Sequence, residues 1–267
     1  MLDQLVSTGL PAGSFALIIC PGDDVGNGGA AVARRGADAL RRDLTGPGGL
    51  VESQVEILGG PRAAVDVALA LTRAGTVPAG LLLVCWLGLV GASDGEPLLV
   101  GDSTADGRSG TLRFSQLLAL IAASPARRRV ALVDGWHANG TVHGGDTDHA
   151  VADAFLAAAA RQGGRLEMLI DVSAAEPVFA AGPLPPAVAG MDRLLAGGDP
   201  DGPELLTVRG VLAATRARLD PAGGVRAAHL TVSSRVVHTL RSGPDQRAPL
   251  AARARGGARR RCLPRRP

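Results

Sequence analysis

The stretch Leu81–Leu87 (LLLVCWL) is seven apolar residues with no polar break. That is the length of a parallel strand buried on both faces and well short of a membrane span. No charged residue occurs from Thr76 to Ser93, but Pro78, Gly80, Gly88 and Gly91 interrupt this longer run, which makes a membrane helix a poor reading of it. A strand that is apolar on both sides needs other strands beside it and helices above and below. It therefore commits the chain to a layered α/β fold.

The rest of the sequence follows that pattern. Short apolar runs at Ser14–Cys20, Val55–Leu58, Val130–Asp134 and Leu166–Val172 predict further strands. Longer amphipathic segments predict helices at Val32–Leu44, from Pro61 to Arg73, and at Phe114–Ala123, His149–Arg161, Ala187–Ala196 and Glu204–Leu219. Pro61 and Gly197-Gly198-Asp199-Pro200 punctuate them as helix start and helix stop. Gly91–Gly95 and Ala174–Pro186 read as loops, Pro97–Val100 as a brief extended piece, and Leu230–Leu240 as an extra strand. The expected architecture is a three-layer α/β sandwich, a mostly parallel central sheet with helices on both faces, and Leu81–Leu87 is its centre. In such sheets chemistry gathers at the carboxyl ends of the strands, here after Cys20, Leu87 and Asp134.

Composition removes several function classes. All 28 basic residues are Arg, which excludes a P-loop lysine, a Schiff-base lysine and a Ser/Lys dyad. Cys20, Cys85 and Cys262 are scattered, with no CxxC pair, a usage that fits a reducing compartment, the cytoplasm, better than a disulfide or zinc scaffold. No basic-then-apolar secretion signal opens the sequence. Residues 241–267 hold nine Arg and one acid, Asp245, whereas residues 1–240 hold 19 Arg against 24 acids. The chain is thus read as one domain over 1–240 followed by an Arg-rich tail whose composition predicts disorder. Nucleic-acid binding could rest only on that tail, because the domain has no basic stripe and only 2% aromatic residues.

The order of these elements resembles that of bacterial caspase-like (metacaspase-related) cysteine peptidases. The likeness is carried by Ser14–Cys20, the helix start Pro61-Arg62-Ala63-Ala64, the strand to Leu87, the turn Asp94-Gly95 before Pro97–Val100, the strand to Asp134, and Pro203-Glu204-Leu205-Leu206-Thr207-Val208. It covers about residues 14–219 and implies a caspase-like fold. It also implies where a dyad belongs: a His in a Ser-Gly-His-Gly motif after the third strand and a Cys in an Asp-x-Cys-His-Ser-Gly motif after the fourth. Here those places read Leu87-Gly88-Leu89-Val90 and Asp134-Gly135-Trp136-His137-Ala138-Asn139-Gly140, so Leu89 stands for the His and Trp136 for the Cys. They are 47 residues apart, against about 50 in the caspase signature. Leucine cannot carry a proton and tryptophan cannot attack a carbonyl, so peptide hydrolysis by the family's mechanism is not expected.

Other chemistry stays open at this level. Cys85 and His137 flank the two lost positions and would make a relocated thiol–imidazole pair, against the plain reading of Cys85 as a buried, inert thiol. His137, His143 and His149 recur at six-residue steps beside Asp134, Asp146 and Asp148, a fair ligand chemistry in a spacing that fixes no geometry. Asp23-Asp24 and Gly26-Asn27-Gly28-Gly29 read first as turn chemistry. Trp136 either fills the emptied cleft or anchors a partner. The expectation is a pseudo-peptidase without cofactor that binds protein. Its partner would be an active peptidase paralogue or a second copy in a dimer, with a cysteine-type or metal-dependent hydrolase as the alternative.

Overall fold

The structure, a computed structural model, describes residues 13–20, 29–46, 49–60, 64–74, 80–103, 109–126, 128–137, 147–161, 166–174, 184–197, 206–219, 226–231 and 239–240. In chain order the elements are β1 (Phe15–Cys20), α1 (Gly29–Thr45), β2 (Val55–Gly59), α2 (Ala64–Ala74), β3 (Leu81–Ser93), β4 (Glu96–Ser103), β5 (Ser109–Arg113) and α3 (Phe114–Ala123). Then follow β6 (Arg128–His137), α4 (Thr147–Arg161), β7 (Leu166–Ala174), α5 (Pro186–Gly197), β8 (Leu206–Thr207), α6 (Val208–Leu219), β9 (Arg226–Thr231) and β10 (Thr239–Leu240).

The main sheet has the order β2-β1-β3-β6-β7-β9. Its first five strands are parallel and β9 is antiparallel to β7. The apolar run at Leu81 is thus at the centre, as its two oily faces require. One helical layer joins α1, α5 and α6 to one face through Ala33, Ala37, Leu40, Val188, Leu195 and Val211. The other joins α2, α3 and α4 to the opposite face. On α3, Phe114, Leu117, Leu118 and Ile121 recur at helical spacing and are buried. Phe114 meets Phe155 of α4 with ring centroids 4.8 Å apart. These two rings and the two tryptophans are the largest fully buried side chains, set in a core made mostly of Ala, Val, Leu and Ile.

Several boundaries differ from the sequence reading, four of them in ways that bear on the site or the edges of the sheet. β3 does not stop at Leu87. It runs on to Ser93 because β6 pairs it as far as Leu89 and β4 takes over from Val90, so its backbone stays hydrogen-bonded through Gly88 and Gly91. The Asp94-Gly95 turn closes that hairpin with φ of 52° and 75°, the left-handed pair a tight hairpin demands. β6 likewise continues past Asp134 to His137, paired on both sides. The span Glu204–Leu219 opens as β8 before α6 starts at Val208, and Leu230–Leu240 falls partly in β9 and partly in β10. β5, a short polar strand, has no counterpart in the sequence reading. No helix among the described residues is long and apolar enough to cross a membrane. Residues 241–267 lie outside the described residues.

Candidate functional site

The parallel register of β3 and β6 sets Leu87 beside Asp134, Gly88 beside Gly135 and Leu89 beside Trp136. The two positions singled out by the sequence are therefore neighbours across one strand pair, at its carboxyl end. Side chains alternate along a strand. Cys85, Leu87, Leu89, Asp134 and Trp136 accordingly share the face covered by α1, α5 and α6, and Trp86 and Val90 join the opposite core. Trp136 has no exposed surface and lies in one apolar cluster with Leu87, Ala187 and Val188, against which the half-buried Leu89 and Leu184 also pack. Of the two roles for Trp136, filling is the one this burial fits. An indole with no accessible surface cannot anchor a partner in this conformation.

Glycine at 135 is needed for the same closure. A Cβ there would come within 2.6 Å of Val90 Cγ1 and 3.1 Å of its Cγ2, so Val90 sits directly over the backbone of β6. On the helical side, a Cβ at Gly36 of α1 would meet Pro185 Cδ at 2.8 Å and Leu87 Cδ1 at 3.3 Å. Both faces of the strand ends are thus packed to contact, Val90 on one and the segment leading into α5 on the other.

Asp134 lies beneath the start of α5. Its Oδ2 accepts a hydrogen bond from the Val188 N–H at 2.8 Å, which satisfies one of the donors a helix leaves open at its first turn. Its register partner on β7 is Asp171. The two residues are 1% and 0% exposed, and among the described residues neither oxygen of Asp171 has a hydrogen-bond partner. Burial is the main cause that pushes Asp134 up to about 7, opposed by the Val188 and Ala187 N–H groups. Burial and then the Asp134 charge push Asp171 up as well. A like-charged pair in a dry place holds its protons. Sequence reasoning missed Asp171. The signal was an acid inside the apolar run Leu166–Val172, where a charge has no solvent.

Cys85 and His137 are not brought together. Five positions separate Leu132, the register partner of Cys85, from His137. That odd interval turns the imidazole to the face opposite the thiol. Burial, reinforced by Asp134, also pushes the Cys85 thiol far up, so no thiolate forms near neutral pH. Cys20 is fully buried in the same cluster, and among the described residues neither cysteine is in a disulfide. Of the metal-ligand candidates, His143 and Asp146 lie outside the described residues, as does the side chain of His149 on α4. His137 is fully buried on β6. Among the described residues no group of three or more His, Cys, Asp or Glu is arranged to hold a metal ion. Asp23, Asp24 and Gly26-Asn27-Gly28 also lie outside them, and Gly29 is the first residue of α1.

No protein-family model matches this chain, and no curated protein matches it. Solved structures do. The crystal structure of the Drosophila initiator caspase Dronc is similar with a TM-score of 0.52 at 9% identity, over 86% of this chain and 82% of that one. The crystal structure of caspase-1 from Spodoptera frugiperda is similar with a TM-score of 0.53 at 8% identity, over 90% of this chain and 94% of that one. At such identities the likeness is one of backbone alone: a mostly parallel central sheet between two helical layers, the caspase-like α/β sandwich, is the fold of this protein.

Proposed function

We propose that this protein is a pseudo-peptidase, a caspase-like domain in which the place of the catalytic dyad has become core and which works by binding another protein. The observation that carries this reading is the register of Leu89 against Trp136 at the carboxyl ends of β3 and β6, with the indole fully buried. Neither side chain can take up a proton or attack a carbonyl, and a peptidase unit that lacks one such group already loses most of its rate. The buried thiol of Cys85 and the imidazole of His137, on opposite faces of the sheet, offer no replacement pair. An active peptidase of the same fold, or a second copy of this chain, is the partner we expect. Cys20 and Cys85, which form no disulfide among the described residues, fit work in the reducing cytoplasm.

The test has two arms. Purified protein is incubated with a fluorogenic peptide library and with iodoacetamide at neutral pH. The expected result is no hydrolysis, with labelling at Cys262 and none at Cys20 or Cys85 until the protein is denatured. The same protein is then titrated into an active caspase-fold peptidase from the same cell, and the expected result is a saturable change in that enzyme's rate. Turnover by this chain alone, abolished by iodoacetamide, would overturn the reading.

A further inference from the structure

The start of α5 is held over Trp136 by one acid, with a second beside it. Asp134 and Asp171 are partners in the parallel register of β6 and β7, which puts their backbones about 5 Å apart. Both carboxyls are buried on the α5 face, and the first accepts from the Val188 N–H, where the helix dipole favours negative charge. Among the described residues the second has no partner for either oxygen.

Among the described residues, the register places one base on this face, His229 of β9 beside Leu169, and the other buried titratable groups there are themselves acids. They are the Cys20 thiol of β1, the Cys85 thiol of β3, and Asp43 of α1, whose carboxyl bonds to Asp192 of α5. Arg42 reaches Asp192 at 3.8 Å from an exposed position. His137 of β6 is on the far face, and α6 offers the Thr215 hydroxyl, whose methyl lies against Gly190. On β9 the register partners are Ala227 for Asp171, Arg226 for Val172 and His229 for Leu169.

We propose that the Asp134–Asp171 pair is a proton-operated latch on α5. While the pair holds a proton the start of α5 stays seated over Trp136, and loss of that proton to solvent unseats it and opens the apolar end of β3 and β6. This goes beyond the pseudo-peptidase reading and stands without it. The physical drive is plain. One ionised carboxylate at the α5 N-terminus is stabilised by the helix, whereas two side by side in a dry, low-dielectric place repel strongly. Separation of α5 from the sheet admits water to both. Burial pushes both groups above the ordinary carboxylate range, so the second proton leaves only well above the pH at which an ordinary carboxylate ionises.

Trp136 reports the latch once Trp86, the only other tryptophan, is replaced by Phe. As pH is raised from about 6 to about 9.5, W86F is expected to show a red shift of its emission and several-fold greater quenching by acrylamide, while far-ultraviolet circular dichroism stays that of the folded chain. Adding Asp171→Asn, which cannot ionise and can donate to Asp134, is expected to hold the emission at its low-pH position throughout. Amide hydrogen exchange over residues 184–197, corrected for its intrinsic pH dependence, gives the same readout in the native chain. Asp171→Leu serves in its place if the Asn variant does not fold. Absence of any response in the native chain overturns the proposal, and so does a response that persists in the Asp171 variants.

Discussion

The two ends of the β6–β7 pair solve the problem of buried charge in opposite ways. At the amino end, the Arg128 guanidinium donates to both carboxylate oxygens of Glu167, at 2.6 and 2.7 Å, with 4% and 2% of the two side chains exposed. At the carboxyl end, Asp134 and Asp171 stand side by side with the same sign and almost no exposure. The first arrangement compensates its own desolvation. The second holds together by keeping protons, and it occupies the edge where parallel α/β sheets carry their function. The lesson is that the amino end carries its own counter-charge, whereas the seat of α5 at the carboxyl end depends on protonation.

The largest way to break this contrast is at the compensated end. Arg128→Ala leaves the Glu167 carboxylate buried and alone, and is expected to lower unfolding free energy by about 3–5 kcal/mol in urea titrations. The double change Arg128→Met with Glu167→Leu is expected to recover most of that loss, because no charge then remains to desolvate. Recovery of less than half would mean the pair does more than cancel its own cost.

Next in size is the packed backbone beside the acidic pair. Gly135→Ala drives a methyl group to 2.6 Å from Val90 Cγ1, with an expected cost of about 1–3 kcal/mol. Val90→Ala in the same chain should restore much of it if the clash is the cause, and thermal unfolding of the four combinations measures this coupling.

The pH profile sharpens the comparison further. Asp43, Asp134 and Asp171 all have carboxyls pushed up from the ordinary 3.8, the first two to about 7. The folded state therefore keeps protons that the unfolded chain has already released. Their contribution is fully present below about pH 4; for Asp43 and Asp134 it is lost as pH rises through about 7, and for Asp171 it is lost in the same direction, above the ordinary carboxylate range. Asp171→Asn is expected to make the chain more stable than the native one on the alkaline side and to flatten that part of the profile, as read by urea titration at stepped pH. An unchanged profile would show that Asp171 does not carry it.

The smallest effect is expected on the surface. The Arg41 Nε–H donates to Glu52 Oε2 at 2.8 Å, with both side chains largely in water. Glu52→Ala should change stability by less than about 1 kcal/mol and by still less in high salt. It is the control that ties the large effect at Arg128 to burial and not to ion pairing as such.

Much of the layered fold was legible from periodicity. The helix near Phe114–Ala123 was legible because an apolar stripe at helical spacing runs straight into Ser124-Pro125, where the helix must stop. Leu81–Leu87 declared the sheet centre because only a flanked strand can be oily on both sides. β5 was illegible because Ser109–Arg113 has no apolar pattern of its own and exists through pairing with β4. The ends of β3 and β6 were illegible for a related reason, since their glycines signal loops until neighbouring strands supply hydrogen bonds. Of the candidate site, the places of Leu89 and Trp136 were legible from motif order. The failure of Cys85 to meet His137 followed only from which face each side chain takes.

Local information, carried by spacing and residue type, settled where most strands and helices lie and that no lysine chemistry is available to the chain. Burial and pairing between distant segments settled the rest. Arg128 meets Glu167 across 39 residues, and Asp134 meets the Val188 N–H across 54. Whether an acid is solvated, paired or forced to keep its proton depends on neighbours that the chain brings in from afar. An isolated stretch of sequence cannot say which of these three it will be.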